Sequence, residues 1–88
     1  MIPGFNRDQL GNADVHETAV AAMSVIDTLQ KHNKGVQVAA ICAAFKLLSE
    51  RYNVPLSDAM TITNNIMNHA DGRRPEFKAV EAYLKNEL

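Results

Sequence analysis

The sequence predicts an all-α protein, a compact bundle of about four short helices preceded by an irregular N-terminal arm. Three observations carry that expectation. Apolar residues recur at helical spacing in four separate stretches. Turn-forming clusters at Asn33-Lys34-Gly35, Asn53-Val54-Pro55 and Asp71-Gly72-Arg73 divide those stretches. With 88 residues, 47% of them hydrophobic, the chain is too apolar for disorder and has the length of one domain. Residues 1–13 are expected to form the arm and residues 14–88 a single helical domain.

The first dozen residues hold Pro3, Gly4, Asn6, Gly11 and Asn12, a density of turn formers that argues against regular structure. Ile2, Phe5 and Leu10 are then expected either to dock on the body or a neighbouring chain, or to belong to a loose terminus. A first helix should begin at Asp14. In Asp14-Val15-His16-Glu17 a capping oxygen and a glutamate three residues later stand at the spacing for reciprocal capping. From there Val15, Ala19, Ala22, Met23, Ile26 and Leu29 fall on one stripe. Gly35 just beyond, with Lys31 and His32 in the last turn, predicts an end near His32.

The second helix, about Val36 to Tyr52, differs from the others. Its centre, Val38 to Phe45, carries no charge and is apolar all round, as in a helix buried on several sides. It should therefore be either the central helix of the fold or part of a subunit interface. Ala39, Ala40, Ala43 and Ala44 let neighbouring backbones approach closely, while Ile41, Phe45 and Leu48 would fill one packed side.

Pro55 interrupts this pattern, because it lacks a donor and disfavours helix in the residue before it. Ser57 is the expected cap of a third helix reaching about Ala70, with Ala59, Ile62, Ile66 and either Met67 or Ala70 inward. Its other side, Thr61, Asn64, Asn65 and Asn68, is polar but uncharged. Pro75 suits the first position of a last helix, where Phe77, Val80, Tyr83, Leu84 and Leu88 make an apolar stripe.

Composition narrows the chemistry. A formal charge of -1 supplies no long-range attraction for phosphate backbones or anionic lipids. Cys42 is the single cysteine, so no intrachain disulfide or cysteine-based zinc framework is available. Within its apolar run it reads as a small hydrophobe, with a reactive or intermolecular thiol as the alternative. The start MIPGFNRDQLGNA lacks the pattern of a signal peptide, and no apolar run is long enough for a membrane span, so the expected location is the cytoplasm. No nucleophile motif, phosphate loop or paired-carboxylate arrangement is present. His16, His32 and His69 are not at ligand spacing along one face. No catalytic activity, metal or cofactor is expected.

The segment from Leu48 to Ile62 resembles the helix-turn-helix of bacterial and phage repressors, with small Ser49, Asn53 where the turn glycine usually stands, then Val54, Ala59 and Ile62. That resemblance implies a third helix in the major groove, with Thr61, Asn64, Asn65 and Asn68 at base edges and Arg73 and Arg74 at phosphates. A plain structural corner is the favoured reading, because Pro55 to Ala70 holds no lysine or arginine, and phosphate contacts dominate affinity. Arg73 and Arg74 read as solvated partners of Asp71 and Glu76, or as a grip on an acidic or phosphate group.

The tail from Ile66 to Val80, above all Gly72-Arg73-Arg74-Pro75-Glu76-Phe77, together with the alanine-rich second helix running into Glu50-Arg51-Tyr52, resembles small helical proteins of tailed bacteriophages. The resemblance implies a host bacterial cytoplasm and an accessory gene product. The expected role is protein-protein interaction, as a homo-oligomer or with a host or phage protein, through Val38, Ala39, Ala43 and Phe45. The DNA-binding regulator is the alternative.

Overall fold

Asp14 opens the first helix as its spacing predicts. In the computed structural model, which describes residues 10–88, its Oδ1 accepts from the Glu17 amide at 2.8 Å and helix α1 runs Val15–Leu29. The arm differs from expectation at its described end, because Leu10 and Gly11 are helical and Leu10 packs on the core. The expectations for Ile2 and Phe5 lie outside the described residues.

The first loop departs from the predicted stop. Gln37 Nε2 donates to the carbonyls of Leu29 at 3.1 Å and His32 at 2.8 Å, so an amide from the next helix covers the carbonyls that the basic groups were expected to serve. Gly35 is not a terminator either. Asn33 Oδ1 accepts from the Val36 amide at 3.0 Å, which draws Lys34 and Gly35 into the first turn of α2, Lys34–Arg51.

At the corner that follows, Asn53 adopts the left-handed conformation, φ 57°, and the Val54 amide donates to the Ser49 carbonyl at 2.8 Å. Asparagine is among the few residues besides glycine that visit this region routinely. Helix α3 spans Leu56–Met67 and has no side-chain cap. Pro55 takes the capping position with its carbonyl accepting from Ala59 at 3.0 Å, so Ser57 lies inside the first turn rather than capping it.

The helix stops at Met67, short of Ala70, because the chain turns into a small antiparallel hairpin. Strand β1, Asn68–His69, pairs with β2, Gly72–Arg73, in the register Asn68 to Arg73 and His69 to Gly72. Gly72 has φ 122°, a conformation that side-chain-bearing residues rarely adopt. The Arg74 amide then donates to the Met67 carbonyl at 2.8 Å, closing the hairpin base, and Pro75 begins α4, Pro75–Glu87, as predicted.

The result is an all-α globule of four helices among the described residues, with the hairpin between α3 and α4. Its core is thin. Ala19, Ile66 and Phe77 from α1, α3 and α4 form its centre, with Val15, Ile62 and Val80 packed around them. Ile26 and Leu29 continue the buried stripe of α1, and α1 packs most extensively on α4. Every inward residue predicted for α1 is buried or half-buried, as are Ala59, Ile62, Ile66 and Met67 of α3 and Phe77, Val80 and Tyr83 of α4. Ala70, Leu84 and Leu88 are exposed.

Helix α2 contradicts the expectation of a central helix. Ser49 is its single buried residue; Phe45 is half-buried, and Val38, Leu47 and Leu48 are 65%, 64% and 57% exposed. Ile41 and Leu48 do not fill a packed side, and Cys42 is exposed rather than a core hydrophobe. The reason is geometric: α1, α3 and α4 already close around Ala19, Ile66 and Phe77, leaving α2 one shoulder of the body to lean on. Of the two places expected for an all-round apolar helix, the centre of the monomer is excluded.

Candidate functional site

The interface residues expected from the sequence are divided by the way α2 sits. Phe45 and Ser49 mark the inner side, where Phe45 borders a crevice with Leu10, Tyr52 and Ala59. At 100° per residue, the side diametrically opposite carries Val36, Ala40, Ala43 and Leu47. All four are exposed, and their spacing of four, three and four is that of a helix-packing seam. Ala43 therefore belongs to the outer seam and Ala39 flanks it, whereas Val38 and Phe45 share the inner side, Phe45 facing the body and Val38 left exposed nearer the start of the helix.

This seam has small residues at its middle and larger ones at its ends. Ala40 and Ala43 permit close backbone approach, and Val36 and Leu47 bracket them. Ala39 and Ala44 border the same strip and are exposed as well. Charged groups lie off it: Lys46 on one edge, with Glu50 and Arg51 past its end. The seam was hidden in the sequence because α2 is apolar on every side, so no periodicity separated its inner face from its outer one.

Toward the start of α2, on the same side as Phe45 and Ser49, Val38, Ile41 and Cys42 line an open apolar groove of about 550 Å³ with Leu29 and Leu84, which Lys34 and Lys85 also border. The inner side of α2 is thus only partly covered by the body.

The residues of the alternative, DNA-directed set are less free than the sequence suggests. Thr61, Asn64 and Asn65 are exposed, but Thr61 Oγ1 donates to the Ser57 carbonyl at 3.0 Å and Asn68 Nδ2 to the Asn64 carbonyl at 2.9 Å. Arg73 leans toward α4, its Nη1 3.8 Å from Glu81 Oε2, so its partner is neither Asp71 nor Glu76. Arg74 is half-buried and borders a cavity with Asn65. The structure brings Asn65 and Arg74 together and sends Arg73 elsewhere.

Between α1 and α4 the Tyr83 hydroxyl donates to the Asp27 carboxylate, and Gln30 Nε2 donates to Asp27 Oδ1 at 3.2 Å and Glu87 Oε2 at 3.3 Å. That bond to Asp27 raises the Tyr83 hydroxyl above the usual phenol range, helped by partial desolvation and by the negative charges of Asp27 and Glu87. It is a clasp between two helices. His69 accepts through Nδ1 from the Asp71 amide at 3.2 Å, within the hairpin. Among the described residues no group of three or more histidine, cysteine, aspartate or glutamate side chains is placed to hold a metal ion, and no helix is long and apolar enough to cross a membrane.

No family model, curated protein or solved structure matches the chain.

Proposed function

We propose that this protein is a non-enzymatic interaction protein that pairs with a second copy of itself through the outer seam of α2, and that it serves as a phage-type accessory protein in a bacterial cytoplasm. The observation that carries the pairing is the exposure of Val36, Ala40, Ala43 and Leu47 on the side of α2 turned away from the body. A second copy is favoured as the occupant because the strip is self-complementary. Laid antiparallel about a two-fold axis between Ala40 and Ala43, it sets Val36 of one copy opposite Leu47 of the other and Ala40 opposite Ala43, with Ala39 and Ala44 on either edge. The same operation brings Lys46 of one copy level with Gln37 of the other and Glu50 level with Asn33, so no two like charges stand at one level of the seam.

The size of the seam sets the strength. The strip consists of two large apolar side chains and a row of alanines, too little to reach the roughly 800 Å² per partner of a standard interface, so the dimer is expected to dissociate on dilution. A chain whose core is as thin as this one gains stability from the pairing. Sedimentation equilibrium over a wide concentration range tests the reading. The fitted mass should rise from that of the 9.7 kDa chain toward twice that value. A mass that stays at one chain into the high micromolar range overturns it.

One observation favours the second reading, a DNA-binding regulator: Asn53 adopts the left-handed turn conformation that the helix-turn-helix resemblance requires of it. Titration of a fluorescent random duplex at low salt, where non-specific binding is strongest, decides that reading. A flat anisotropy signal removes it.

A further inference from the structure

We infer that the groove between the first half of α2 and the end of α4 receives an acidic amphipathic helix from a partner protein. The seam lies on the outer side of α2 and the groove on its inner side, so either can fail without the other. Phe45 and Ser49 lean the far half of α2 on the body, but nearer its start the helix leaves a gap toward α4. Val38 and Ile41 line this space of about 550 Å³ together with Leu84 and Leu88, and the buried Leu29 of α1 reaches it as well. Gln37 Nε2, bonded to the carbonyls of Leu29 and His32, ties the start of α2 to the end of α1. The groove is therefore held open by the chain's own contacts before anything binds.

Charge identifies the occupant. Among the described residues that line the groove, Lys34 and Lys85 are charged and none is acidic. Neither ammonium forms an ion pair with a described residue. Lys85 stands in the last turn of α4, where the negative end of the helix suits it. Lys34 has the opposite placement. It lies in the first turn of α2, which holds no acidic residue, and adds its charge to the positive end of that helix. A carboxylate brought from outside relieves this repulsion, and a second one meets Lys85. The shape of the groove selects a helix to carry them. Ile41, Leu84 and Leu88 are 41%, 41% and 45% exposed, so a small lipid or metabolite would lie largely in water, whereas sites for such ligands enclose most of the ligand surface. From Lys34 to Cys42 the groove follows α2 for about 12 Å, roughly the two turns over which a docking helix presents its apolar anchors. A flat bilayer does not fill a groove between two helices. A second copy paired about the groove would set its own Lys34 and Lys85 against these.

The test is a titration of the full chain with a labelled synthetic helix that carries leucine at i, i+3, i+4 and i+7 and glutamates on both sides of that stripe. The comparisons are the same peptide with lysine in place of glutamate, and vesicles of phosphatidylglycerol. The glutamate peptide should bind saturably and the lysine peptide at least roughly fivefold more weakly, although the chain's net charge of -1 favours the lysine peptide at long range. The vesicles should not co-sediment with the chain. In NMR spectra the methyl groups of Val38, Ile41 and Leu84 should shift on binding, and those of Val36 and Leu47 on the seam should not. Lys34→Gln and Lys85→Gln, both at exposed positions, should each weaken the glutamate peptide about two- to fivefold. Lys78→Gln removes the same charge from a residue outside the groove and should leave the affinity as it is. The assignment is overturned by an absence of saturation, by the lysine peptide binding as well, by co-sedimentation with the vesicles, by shifts confined to the seam, or by undiminished affinity in Lys34→Gln or Lys85→Gln.

Discussion

Tyr83 ties α4 to α1 by giving its hydroxyl proton to the Asp27 carboxylate, and this contact has a pH dependence of definite sign. The folded chain holds the phenol above its ordinary value of 10.0. It is therefore the protonated form that folding favours. Its contribution is whole below the unfolded value and is lost as pH climbs through the raised one. Urea midpoints of the wild type and Tyr83→Phe should differ at neutral pH and converge above pH 10.0. A gap that stays constant into that range contradicts the linkage. The helical stripe placed Tyr83 on the inward side of α4, but it did not predict Asp27 as its partner, since the two lie 56 residues apart and nothing local couples them. Arg74 was as hard to read. Its sequence neighbours suggested a solvated arginine balanced by Asp71 or Glu76, and only the fold half-buries it and shuts its Nε off from water.

At the scale of elements, the helix starts that depend on a side-chain oxygen or a proline were legible. Asp14 and Pro75 each act within one turn of their own position, which makes them visible to a local reading. The ends were less legible because their partners are distant in sequence or belong to competing motifs. Gln37 reaches back to Leu29, and Asn33 captures Gly35 into α2. The hairpin that cuts α3 short has strands of two residues each, too short for any alternation; Asp71-Gly72 was its one signal. Its glycine and Gly35 predict opposite outcomes for the same substitution. Gly72→Ala meets open space, so its cost is the backbone strain of φ 122° alone, roughly 1–3 kcal/mol. Gly35→Ala meets Asn33 Oδ1 at an ordinary 3.5 Å inside a helix, and should stabilise by up to about 1 kcal/mol. Thermal or urea denaturation of the two variants checks both signs. If both lose stability, then Gly35 has a role beyond its place in the helix.

For the molecule as a whole, composition and periodicity identified the fold class and the inward faces of α1, α3 and α4, because each of those helices has one apolar side and one polar side. They could not place α2, whose apolar surface has no preferred side; what decides its position is how much room the other three helices leave. The position of Ala43 makes the proposed pairing testable apart from folding. Were α2 at the centre of the monomer, Ala43→Glu would bury a charge and unfold the chain. In the observed fold Ala43 is exposed on the outer seam, so a glutamate there meets water in the lone chain, with Lys46 one turn along the same helix as a favourable neighbour. The variant is therefore expected to keep the helical circular dichroism and melting behaviour of the dilute wild type while remaining a monomer at concentrations where the wild type pairs. In a two-fold arrangement each interface would acquire two carboxylates beside the axis, facing Ala40 of the opposite copy, and neither would have a cationic partner within the seam. Ile66→Ala provides the contrast. It opens a cavity in the core and should cost about 2–5 kcal/mol without any direct effect on the seam. Sedimentation and thermal melting of the two variants separate association from folding, and an Ala43→Glu chain that still forms the wild-type dimer would place the contact elsewhere on the molecule.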